Sequence, residues 1–368
     1  MKILVTGAGG FIGKNLVVKL NEKPTFEVLQ FVRKNSVNDL LALISQADFV
    51  VHLAGENRPN NNDDFLSVNR DLTELLCAAI KKSGRKISLI LASSTQAELD
   101  NPYGRSKRAA EQVVEQLARE TNNSVTIYRL PGIFGKWCRP NYNSVIATFC
   151  HNIARDLPIQ IDDPEYRLNI VYIDDLIASF IQIIEGKQNS GPYCEVQPTY
   201  SMSVGALAEQ IRAFRASRDS LISERVGAGL TRALYATYIS YLPKADFVYE
   251  VTKYEDPRGV FVEMLKTQDS GQFSFFTAHP GITRGGHYHH SKTEKFLVIK
   301  GKARFGFRHI LTNELHEIFT SGDKPTIVEM IPGWAHDITN VGDDEMIVML
   351  WANEIFDRAH PDTYACPV

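Results

Sequence analysis

A tyrosine and a lysine four residues apart, Tyr103 and Lys107, form the first pair of side chains in this sequence that could carry out chemistry. The pair lies at the start of a predicted helix, and residues four apart on a helix share a face. A lysine beside a tyrosine can lower the pKa of the phenol, so that the phenol exchanges a proton near neutral pH. The predicted strand before this helix, residues 87–92, is followed by three hydroxyl residues, 93–95, that can hold a substrate oxygen. This arrangement predicts proton transfer to or from a substrate oxygen.

Three glycines at intervals of three residues follow the first predicted strand and open the first predicted helix. In a strand–turn–helix of this kind each glycine has a separate role. Gly7 permits the tight turn, Gly10 lets the backbone approach a pyrophosphate, and Gly13 lets the helix pack against the strand. The amides at the start of the helix, those of Phe11 and Ile12, would then face the phosphate charge. The segment therefore predicts a dinucleotide-binding turn.

Two further segments bear on the cofactor. The second predicted strand lacks the acidic residue that would bind the ribose 2′-hydroxyl of NAD, and Arg33 and Lys34 follow it instead. Because a guanidinium suits a 2′-phosphate, we predict NADPH as the cofactor, the alternative being a merely solvated basic pair. The third predicted strand ends in Leu53, Ala54 and Gly55, and the two small residues Ala54 and Gly55 would let the cofactor lie against the backbone.

The arrangement of elements predicts two domains. Strands and helices alternate through residues 1–244, at a spacing typical of a parallel sheet with right-handed crossovers. Residues 245–368 instead contain short β-like runs separated by turn residues, which indicate a β-barrel or jelly roll. A chain of 368 residues has room for both cores.

The composition of the chain bears on its binding partners and on its cellular compartment. A net charge of −3, without a block of five like charges, argues against nucleic acid or an anionic membrane surface as the main partner. The five cysteines are scattered and form no metal-type pair, which fits reduced thiols. Since we find neither a signal peptide nor an apolar stretch of membrane-spanning length, we expect a cytoplasmic protein without membrane insertion.

Residues 1–245 resemble the extended short-chain dehydrogenase/reductases that act on nucleotide sugars. The segments that carry the resemblance are 6–13, 53–55, 69, 93–94, 103–107, 129–135 and 171–175. The resemblance implies a Rossmann-like sheet in which Tyr103 is the catalytic acid/base and Lys107 binds the nicotinamide ribose and lowers the tyrosine pKa. It further implies that Ser94, with Thr95 as the alternative, holds the substrate oxygen, and that Asn69 belongs to the cofactor site.

The carboxy-terminal region resembles the cupins, and eight of the ten histidines follow residue 278. Residues 281–301 match the first cupin motif along its full spacing, and residues 332–340 match the second closely. The resemblance implies a metal centre with the ligands His287, His289, Glu294 and His336. Three imidazoles and one carboxylate suit Zn²⁺, Fe, Mn or Ni by ligand type, with zinc as a common outcome. A metal-free barrel with polar histidines is the alternative.

Two details of this region stay open. Residues two apart on a strand share a face, so His287 and His289 would point the same way and His290, a reserve ligand, to the other face. Residues 256–259 and 280–288 also resemble the nucleotide-4-keto-6-deoxysugar epimerases, which are cupins too. In that family the histidine matching His287 is the base that removes a proton beside a ketone. A histidine that ligates a metal is a poor base, so His287 has two competing assignments.

The order of the two regions resembles a family of bifunctional capsule and O-antigen enzymes in the pathway to UDP-N-acetyl-L-fucosamine. Further segments that support it are 101–104, 134–138, 140–150, 241–243 and 361–364. The resemblance implies that the cupin epimerises carbon 3 of a UDP-2-acetamido-2,6-dideoxy-4-hexulose. The first domain then reduces the ketone with NADPH, giving UDP-2-acetamido-2,6-dideoxy-L-talose. This is coherent chemistry, because a ketone at carbon 4 acidifies the proton on carbon 3.

Two other interpretations remain at this stage. The chain could be a plain UDP-4-keto-sugar reductase whose cupin is a non-catalytic, dimerising module. It could instead be an NAD-dependent nucleotide-sugar epimerase, in which the tyrosine–lysine site oxidises and re-reduces the sugar. A homodimer is expected.

Overall fold

The computed structural model describes residues 1–58, 64–187, 191–256, 259–262, 265–267, 271–354 and 359–368. The chain folds into two compact units, one comprising Met1–Trp137 and Leu168–Ser201 and the other Cys138–Arg167 and Met202–Val368. The predicted boundary at residues 244 and 245 follows the change in secondary structure and stays a prediction. By their contacts, however, the helices that precede this boundary group with the β-rich region.

The amino-terminal elements alternate between strand and helix as predicted. They are β1 (Lys2–Thr6), α1 (Phe11–Asn21), β2 (Glu27–Phe31), α2 (Val37–Gln46), β3 (Phe49–His52), α3 (Asp64–Leu66), a π-helical turn (Ser67–Asp71), α4 (Leu72–Ser83), β4 (Ser88–Ser94), a 3₁₀ turn (Thr95–Glu98), α5 (Pro102–Thr121), β5 (Val125–Leu130), β6 (Gly132–Phe134), α6 (Val145–Ile153), β7 (Arg167–Tyr172), α7 (Ile173–Ile184), β8 (Tyr193–Cys194) and β9 (Tyr200–Ser203).

Six of these strands form a sheet in the order β2-β1-β3-β4-β5-β8, and β6, β7 and β9 form a separate three-stranded sheet. Every neighbouring pair of the six-stranded sheet is parallel. Adjacent strand residues such as Leu4 and Val5 are both fully buried, as expected when both faces of a parallel sheet are covered. The predicted Rossmann-like sheet is therefore confirmed.

The strand order reverses between β1 and β3, and ligands of such sheets bind beyond the carboxyl ends of the strands at this point. Here the first turn and the end of β3 lie in contact. The hydroxyl of Thr6 accepts hydrogen bonds from the amides of Leu53 and Ala54, both at 3.2 Å. Gly7 has a φ of +66°, and a Cβ at this position would lie 2.7 Å from the amide nitrogen of Ala54. The first turn and the end of β3 therefore pack backbone against backbone at the switch point, and this packing leaves no room for a side chain at residue 7.

The remaining elements are three helical and fourteen extended segments. They are α8 (Val204–Ser220), β10 (Ile222–Ser223), α9 (Gly229–Ile239), a 3₁₀ turn (Lys244–Phe247), β11 (Val248–Glu250), β12 (Lys253–Asp256), β13 (Gly259–Val262), β14 (Lys266–Thr267), β15 (Gln272–Ala278), β16 (Thr283–Tyr288), β17 (Glu294–Lys300), β18 (Lys302–His309), β19 (Leu315–Ser321), β20 (Thr326–Met330), β21 (Trp334–Asn340), β22 (Met346–Ala352) and β23 (Tyr364–Ala365). No helix in the described ranges has both the length and the apolar character needed to cross a membrane.

Two antiparallel five-stranded sheets dominate the second unit. Their orders are β11-β20-β17-β22-β15 and β19-β18-β21-β16-β23. Counting β15 to β22 as strands one to eight gives 1-8-3-6 in one sheet and 2-7-4-5 in the other, which is the connectivity of a jelly roll. The predicted all-β carboxy-terminal region is confirmed. Of the predicted epimerase-like segment 256–259, residues 257 and 258 lie outside the described residues.

Helices α8 and α9 cover buried charges on the outer face of the first of these sheets. Lys295 and Glu329, each 2% exposed, form an ion pair on neighbouring strands. Arg218 of α8 lies 3.7 Å from the Glu329 carboxylate, and Lys295 donates to the Tyr249 hydroxyl at 2.9 Å. Burial alone would lower the pKa of Lys295, but Glu329 holds it well above its ordinary value. The cluster therefore stays charged, and one carboxylate compensates two cations.

We expect Glu329→Gln to destabilise the second unit by about 3–5 kcal/mol, because it leaves two buried cations without their counter-charge. Urea unfolding followed by tryptophan fluorescence measures the change in the free energy of unfolding. Glu317→Gln is the matched control: Glu317 pairs with Arg304 at 3.0 Å, but its side chain is 56% exposed. That change should cost less than about 1 kcal/mol. Equal effects of the two changes would contradict this account of the cluster.

Candidate functional site

The glycine turn of the first unit presents uncapped amides at the start of α1. Gly10 is the N-cap residue, and among the described residues no side chain caps this helix. Gly13 lies so close to the turn that a Cβ would sit 2.2 Å from the carbonyl oxygen of Gly7. Gly9 and Gly10 are exposed, whereas Phe11 and Ile12 are half-buried. A phosphate can therefore approach the helix start without meeting a side chain, as a dinucleotide requires.

Tyr103, Ser94 and Lys107 come together where β4 ends and α5 begins. The side chain of Asn101 caps α5 by accepting a hydrogen bond from the Gly104 amide at 2.7 Å, which places Tyr103 in the first turn. The hydroxyl of Ser94 forms a hydrogen bond with the Tyr103 phenol, while Thr95, the alternative, is exposed. The geometry therefore favours Ser94 as the residue beside the phenol.

Lys107 reaches the same place from one turn further along α5. Its Nζ donates to the carbonyl oxygen of Ala92 at 3.0 Å and lies 6.0 Å from the ring centroid of Tyr103. Burial lowers the pKa of Lys107 to about 8, although the nearby Glu111 carboxylate acts in the opposite direction. The ammonium group is therefore held beside the phenol by a backbone carbonyl at the end of β4.

The pKa of Tyr103 differs from the expectation drawn from the sequence. Lys107 was expected to lower it, but burial raises it, and the hydrogen bond with Ser94 only partly offsets that effect. The reason is geometric, because the ammonium group is directed at Ala92. A phenol that keeps its proton at neutral pH suits the role of an acid that protonates a ketone oxygen.

Asn69 does not project freely into the cofactor site but fixes the loop that borders it. Its Oδ1 accepts from the Glu56 amide at 2.8 Å, and its Nδ2 donates to the Glu56 carbonyl at 3.0 Å and to the Ser106 hydroxyl at 2.9 Å. A Cβ on Gly55 would lie 2.8 Å from Asn69 Oδ1 and 3.4 Å from Lys107 Nζ. The loop thus passes close to the lysine, and Asn69 already occupies the space that a side chain at residue 55 would need.

The predicted cofactor-selecting residue, Arg33, is at the surface. Its side chain is 91% exposed, and its guanidinium lies 3.1 Å from the carboxylate of Glu56. The end of β2 and the loop after β3 are thereby joined at the switch point. The outer side of the guanidinium is open to solvent, so a phosphate on the ribose could approach it.

Sequence reasoning missed Glu111, which organises the floor of this site. Glu111 is 1% exposed and accepts from the Ser93 hydroxyl at 2.5 Å and from Arg129 Nη2 at 2.7 Å. It ties the end of β4 to α5, one turn beyond Lys107. The available signal was its spacing of four from Lys107, which puts both residues on one helix face.

The second unit contains a cavity of about 270 Å³ within the jelly roll. Much of its wall is apolar, formed by Phe276, Phe296, Phe305, Met330, Ile338 and Leu350. Arg284 and Lys292 supply positive charge, and Thr363 also lines the cavity. Its volume and its mixture of apolar wall and few polar groups are those of a small-molecule site.

The four predicted metal ligands meet at one end of this cavity. One donor atom from each of His287, His289, Glu294 and His336 lies within 4.8 Å of every other. The rings of His287 and His336 have centroids 4.8 Å apart. Strand β16 ends at Tyr288 after a bulge, so His287 and His289 do not share a regular strand, yet their rings are only 5.1 Å apart. Glu294 begins β17 and His336 lies in β21, so the predicted cluster is formed by the end of β16, the turn after it and two further strands.

The hydrogen bonds of these residues fit a bound cation. The Nδ1–H of His289 donates to the carbonyl oxygen of Asp362, which leaves the lone pair of Nε2 facing Glu294 Oε2 at 3.2 Å. A lone pair and a carboxylate oxygen this close need a proton or a cation between them. Both ring nitrogens of His336 are buried without a hydrogen-bond partner in the described part of the chain. These are the donors that a divalent metal such as zinc would engage.

The electrostatics keep the donors ready to bind. Burial, with the neighbouring imidazoles of His336 and His289, lowers the pKa of His287 to about 3. Burial also lowers the pKa of His336. For Glu294 burial alone would raise the pKa, but the neighbouring His289, His336 and Lys292 hold it well below its ordinary value. At neutral pH the site therefore offers an ionised carboxylate and the unprotonated imidazoles of His287 and His336.

The reserve ligand His290 lies outside the cluster. Its ring makes an edge-on contact with Tyr288 at 5.5 Å and with Tyr364 at 5.1 Å between centroids. Lys292, which sequence reasoning did not single out, lies instead at the site, with its Nζ 2.7 Å from Glu294 Oε1. No motif indicated Lys292, because a lysine in a loop is most often solvated.

Family comparisons define the class of protein. The NAD dependent epimerase/dehydratase family matches residues 3–196, and the polysaccharide biosynthesis C-terminal domain matches residues 254–364. The chain belongs to the NAD dependent epimerase/dehydratase family. A nicotinamide cofactor follows from this membership.

Individual relatives extend the similarity to the whole chain. The UDP-2-acetamido-2,6-beta-L-arabino-hexul-4-ose reductase of Pseudomonas aeruginosa is 59% identical over 368 residues, which cover 100% of this chain and 99% of the relative. The capsular polysaccharide assembling protein CapF of Staphylococcus aureus has 41% identity and a TM-score of 0.70, with 100% of both chains covered. The predicted resemblance to bifunctional capsule and O-antigen enzymes is thereby confirmed.

A more distant structure shows the fold alone. The UDP-glucuronic acid 4-epimerase of Bacillus cereus, solved with NAD, has 22% identity and a TM-score of 0.54. The match covers 59% of this chain and 84% of that one.

Proposed function

We propose that this chain is a bifunctional nucleotide-sugar enzyme. One site epimerises carbon 3 of a UDP-2-acetamido-2,6-dideoxy-4-hexulose, and the other reduces the 4-keto group with NADPH to give UDP-2-acetamido-2,6-dideoxy-L-talose. The observation that carries the reductase assignment is the meeting of Tyr103, Ser94 and Lys107 beside the glycine turn. The full-length similarity to a reductase named for a UDP-hexul-4-ose supports the substrate class.

The residues of the first site have distinct tasks in this reduction. NADPH supplies a hydride to carbon 4 when it is bound. Tyr103 gives its phenolic proton to the ketone oxygen, so that the C=O double bond becomes a C–H and an O–H bond. The Ser94 hydroxyl donates a hydrogen bond to the same oxygen and orients it. Lys107, whose Nζ is held by the Ala92 carbonyl, would bind the ribose hydroxyls of the cofactor.

The proposed epimerase site is the cavity of the jelly roll. A base removes the proton from carbon 3, and the proton returns on the other face, while the charge that develops on the ketone oxygen needs a cation nearby. Arg284 and Lys292 line the cavity and can face that oxygen. The apolar wall, which includes Phe296, Phe305 and Leu350, suits the methyl group of a 6-deoxy sugar. These features support substrate binding in the cavity.

We further propose that His287, His289, Glu294 and His336 hold a divalent metal, zinc being our assignment. Such an ion would supply positive charge beside the cavity. His287 is half-buried and lines the cavity, whereas His289, Glu294 and His336 are buried. His287 is therefore the member of the set that is also open to the base assignment.

The choice of NADPH depends on Arg33. We expect Arg33→Asp to weaken NADPH binding by several-fold to a hundredfold, because a charge-assisted contact is worth about 1.5–3 kcal/mol. Fluorescence titration of NADPH measures the affinity. Lys86→Asp makes the same change in charge at an exposed position before β4 and should leave the affinity unchanged. An Arg33→Asp variant with the wild-type affinity would show that the basic pair is only solvated surface.

A plain reductase with a non-catalytic cupin is the second candidate. The full-length relative is named as a reductase, and this favours the second candidate. Exchange of the carbon-3 proton with solvent, measured without NADPH, separates the two candidates. A cytoplasmic homodimer remains our prediction for either.

A further inference from the structure

The segment from Pro361 to Cys366 lies along the edge of the strand that carries His287. Strand β23 pairs with β16, with Tyr364 opposite Tyr288 and Ala365 opposite His287. The Cys366 amide donates to the Gly286 carbonyl at 2.8 Å. This pairing fixes the backbone of the segment beside the proposed metal centre.

Within this segment, Asp362 binds the turn that follows His289. Its carboxylate accepts hydrogen bonds from three successive amides, those of His290 at 2.9 Å, Ser291 at 2.7 Å and Lys292 at 2.8 Å. The Ser291 hydroxyl adds a fourth at 3.1 Å. Burial alone would raise the pKa of Asp362, but His290 and these amides hold it below its ordinary value. One ionised side chain thus determines the conformation of the turn between His289 and Glu294.

The backbone of Asp362 acts on His289 itself. Its carbonyl oxygen can only accept, so the contact with Nδ1 requires that this nitrogen carries the proton. Because Nδ1 is engaged in this way, Nε2 is the ring nitrogen directed at Glu294 and available to a metal. In metal sites, a partner of this kind orients the ring and makes the ligating nitrogen more basic. Removing the side chain of Asp362 would release the turn 290–292, and with it the position of His289 against this carbonyl, which the pairing of β23 still holds.

A second group holds the turn from the helical side. Arg232 of α9 contacts the Ser291 hydroxyl and lies 3.1 Å from Glu354. Since Arg232 acts on the turn at Ser291 and not on His289, it supports the turn without setting the tautomer. Asp362, by contrast, both supports the turn and contacts His289.

We propose that Asp362 is a positioning residue of the metal centre, which sets the tautomer and direction of His289 and the conformation of the turn 290–292. The proposal rests on the proposed metal site and extends it to a residue that lies outside both cupin motifs. It predicts that metal affinity, and the geometry of the bound metal, depend on a side chain that does not itself ligate.

The test uses the full chain, stripped of metal and reloaded with Co²⁺ as a spectroscopic probe. Asp362→Ala is expected to weaken Co²⁺ binding by about 10- to 100-fold, the usual effect of losing a partner of a metal ligand. Its visible absorption bands should also shift, because His289 is no longer held in one orientation. Asp362→Asn keeps the shape but loses the charge, so it should give a smaller weakening. Asp343→Ala removes a carboxylate from an exposed turn and should change neither quantity.

The outcomes are distinguishable. If wild-type protein takes up no Co²⁺, the metal centre itself fails. If wild type binds Co²⁺ and both Asp362 variants bind it with the same affinity and spectrum, only the positioning role of Asp362 is overturned. A lower melting temperature of the metal-free variants with an unchanged spectrum would assign Asp362 a structural role and would also overturn it. Should Asp362→Ala not fold, Asp362→Asn decides the result.

Discussion

Replacing Tyr103 with phenylalanine is expected to reduce the rate of NADPH-dependent ketone reduction by a factor of about 10² to 10⁴. The change keeps the ring and its 5.5 Å contact with Phe65 but removes the proton that the ketone oxygen must receive. Lys107→Met should have a comparable effect, because it removes the ammonium group that would hold the nicotinamide ribose beside Tyr103. NADPH oxidation, followed by the absorbance of the reduced nicotinamide, measures both.

Two controls make this prediction specific. Tyr128→Phe removes the hydroxyl of another buried tyrosine of the same unit, one that bonds to Ser179 at 2.7 Å, and should leave the turnover unchanged. Exchange of the carbon-3 proton should survive in both Tyr103→Phe and Lys107→Met, since it takes place at the other site. Normal NADPH turnover by Tyr103→Phe would refute the assignment of the acid.

The second large effect concerns His287. His287→Asn should reduce proton exchange at carbon 3 by about 10²-fold or more whether His287 ligates the metal or acts as the base. The metal content separates the roles. We expect the variant to lose metal and to melt at a lower temperature, because a ligand that binds only the folded state stabilises that state. Elemental analysis and thermal unfolding of the full chain measure both.

His279→Asn is the matched control for this change. His279 is exposed and lies eight residues before His287, and its replacement should alter neither metal content nor exchange. A His287→Asn variant that retains its metal but loses exchange would assign His287 as the base. A variant that retains both would remove His287 from the site.

Local patterns identified the parts of both sites that come from a continuous segment. Gly10 and Gly13 could be recognised because each meets backbone a few residues away, whereas Gly7 meets the backbone of Leu53 and Ala54 at the end of β3. The pair Tyr103 and Lys107 could be recognised from the sequence because residues four apart share a face of a helix. In the second unit the cluster was recognisable from two motifs, and the structure brings both together.

Contacts between distant segments left no such signal. Asp362 acts on a turn about seventy residues earlier, and nothing in the sequence pairs these segments. Arg218 of helix α8 contacts Glu329 in a sheet of the jelly roll. The change in sequence pattern at residue 244 therefore marks a change of secondary structure and not the boundary between the two compact units. The raised pKa of Tyr103 could not be predicted from the sequence either, since it depends on burial and on the direction of the Lys107 ammonium group.

The central claim is that two separate chemistries occur on one chain, and a single exchange measurement tests it most directly. The full chain is incubated in D₂O with a UDP-2-acetamido-2,6-dideoxy-4-hexulose and no NADPH, and the carbon-3 proton is followed by NMR. The account predicts that this signal disappears while the ketone at carbon 4 persists, and that added NADPH then yields a 4-hydroxy sugar carrying deuterium at carbon 3. A carbon-3 proton that stays unexchanged while NADPH still reduces the ketone would contradict the account and leave a plain reductase.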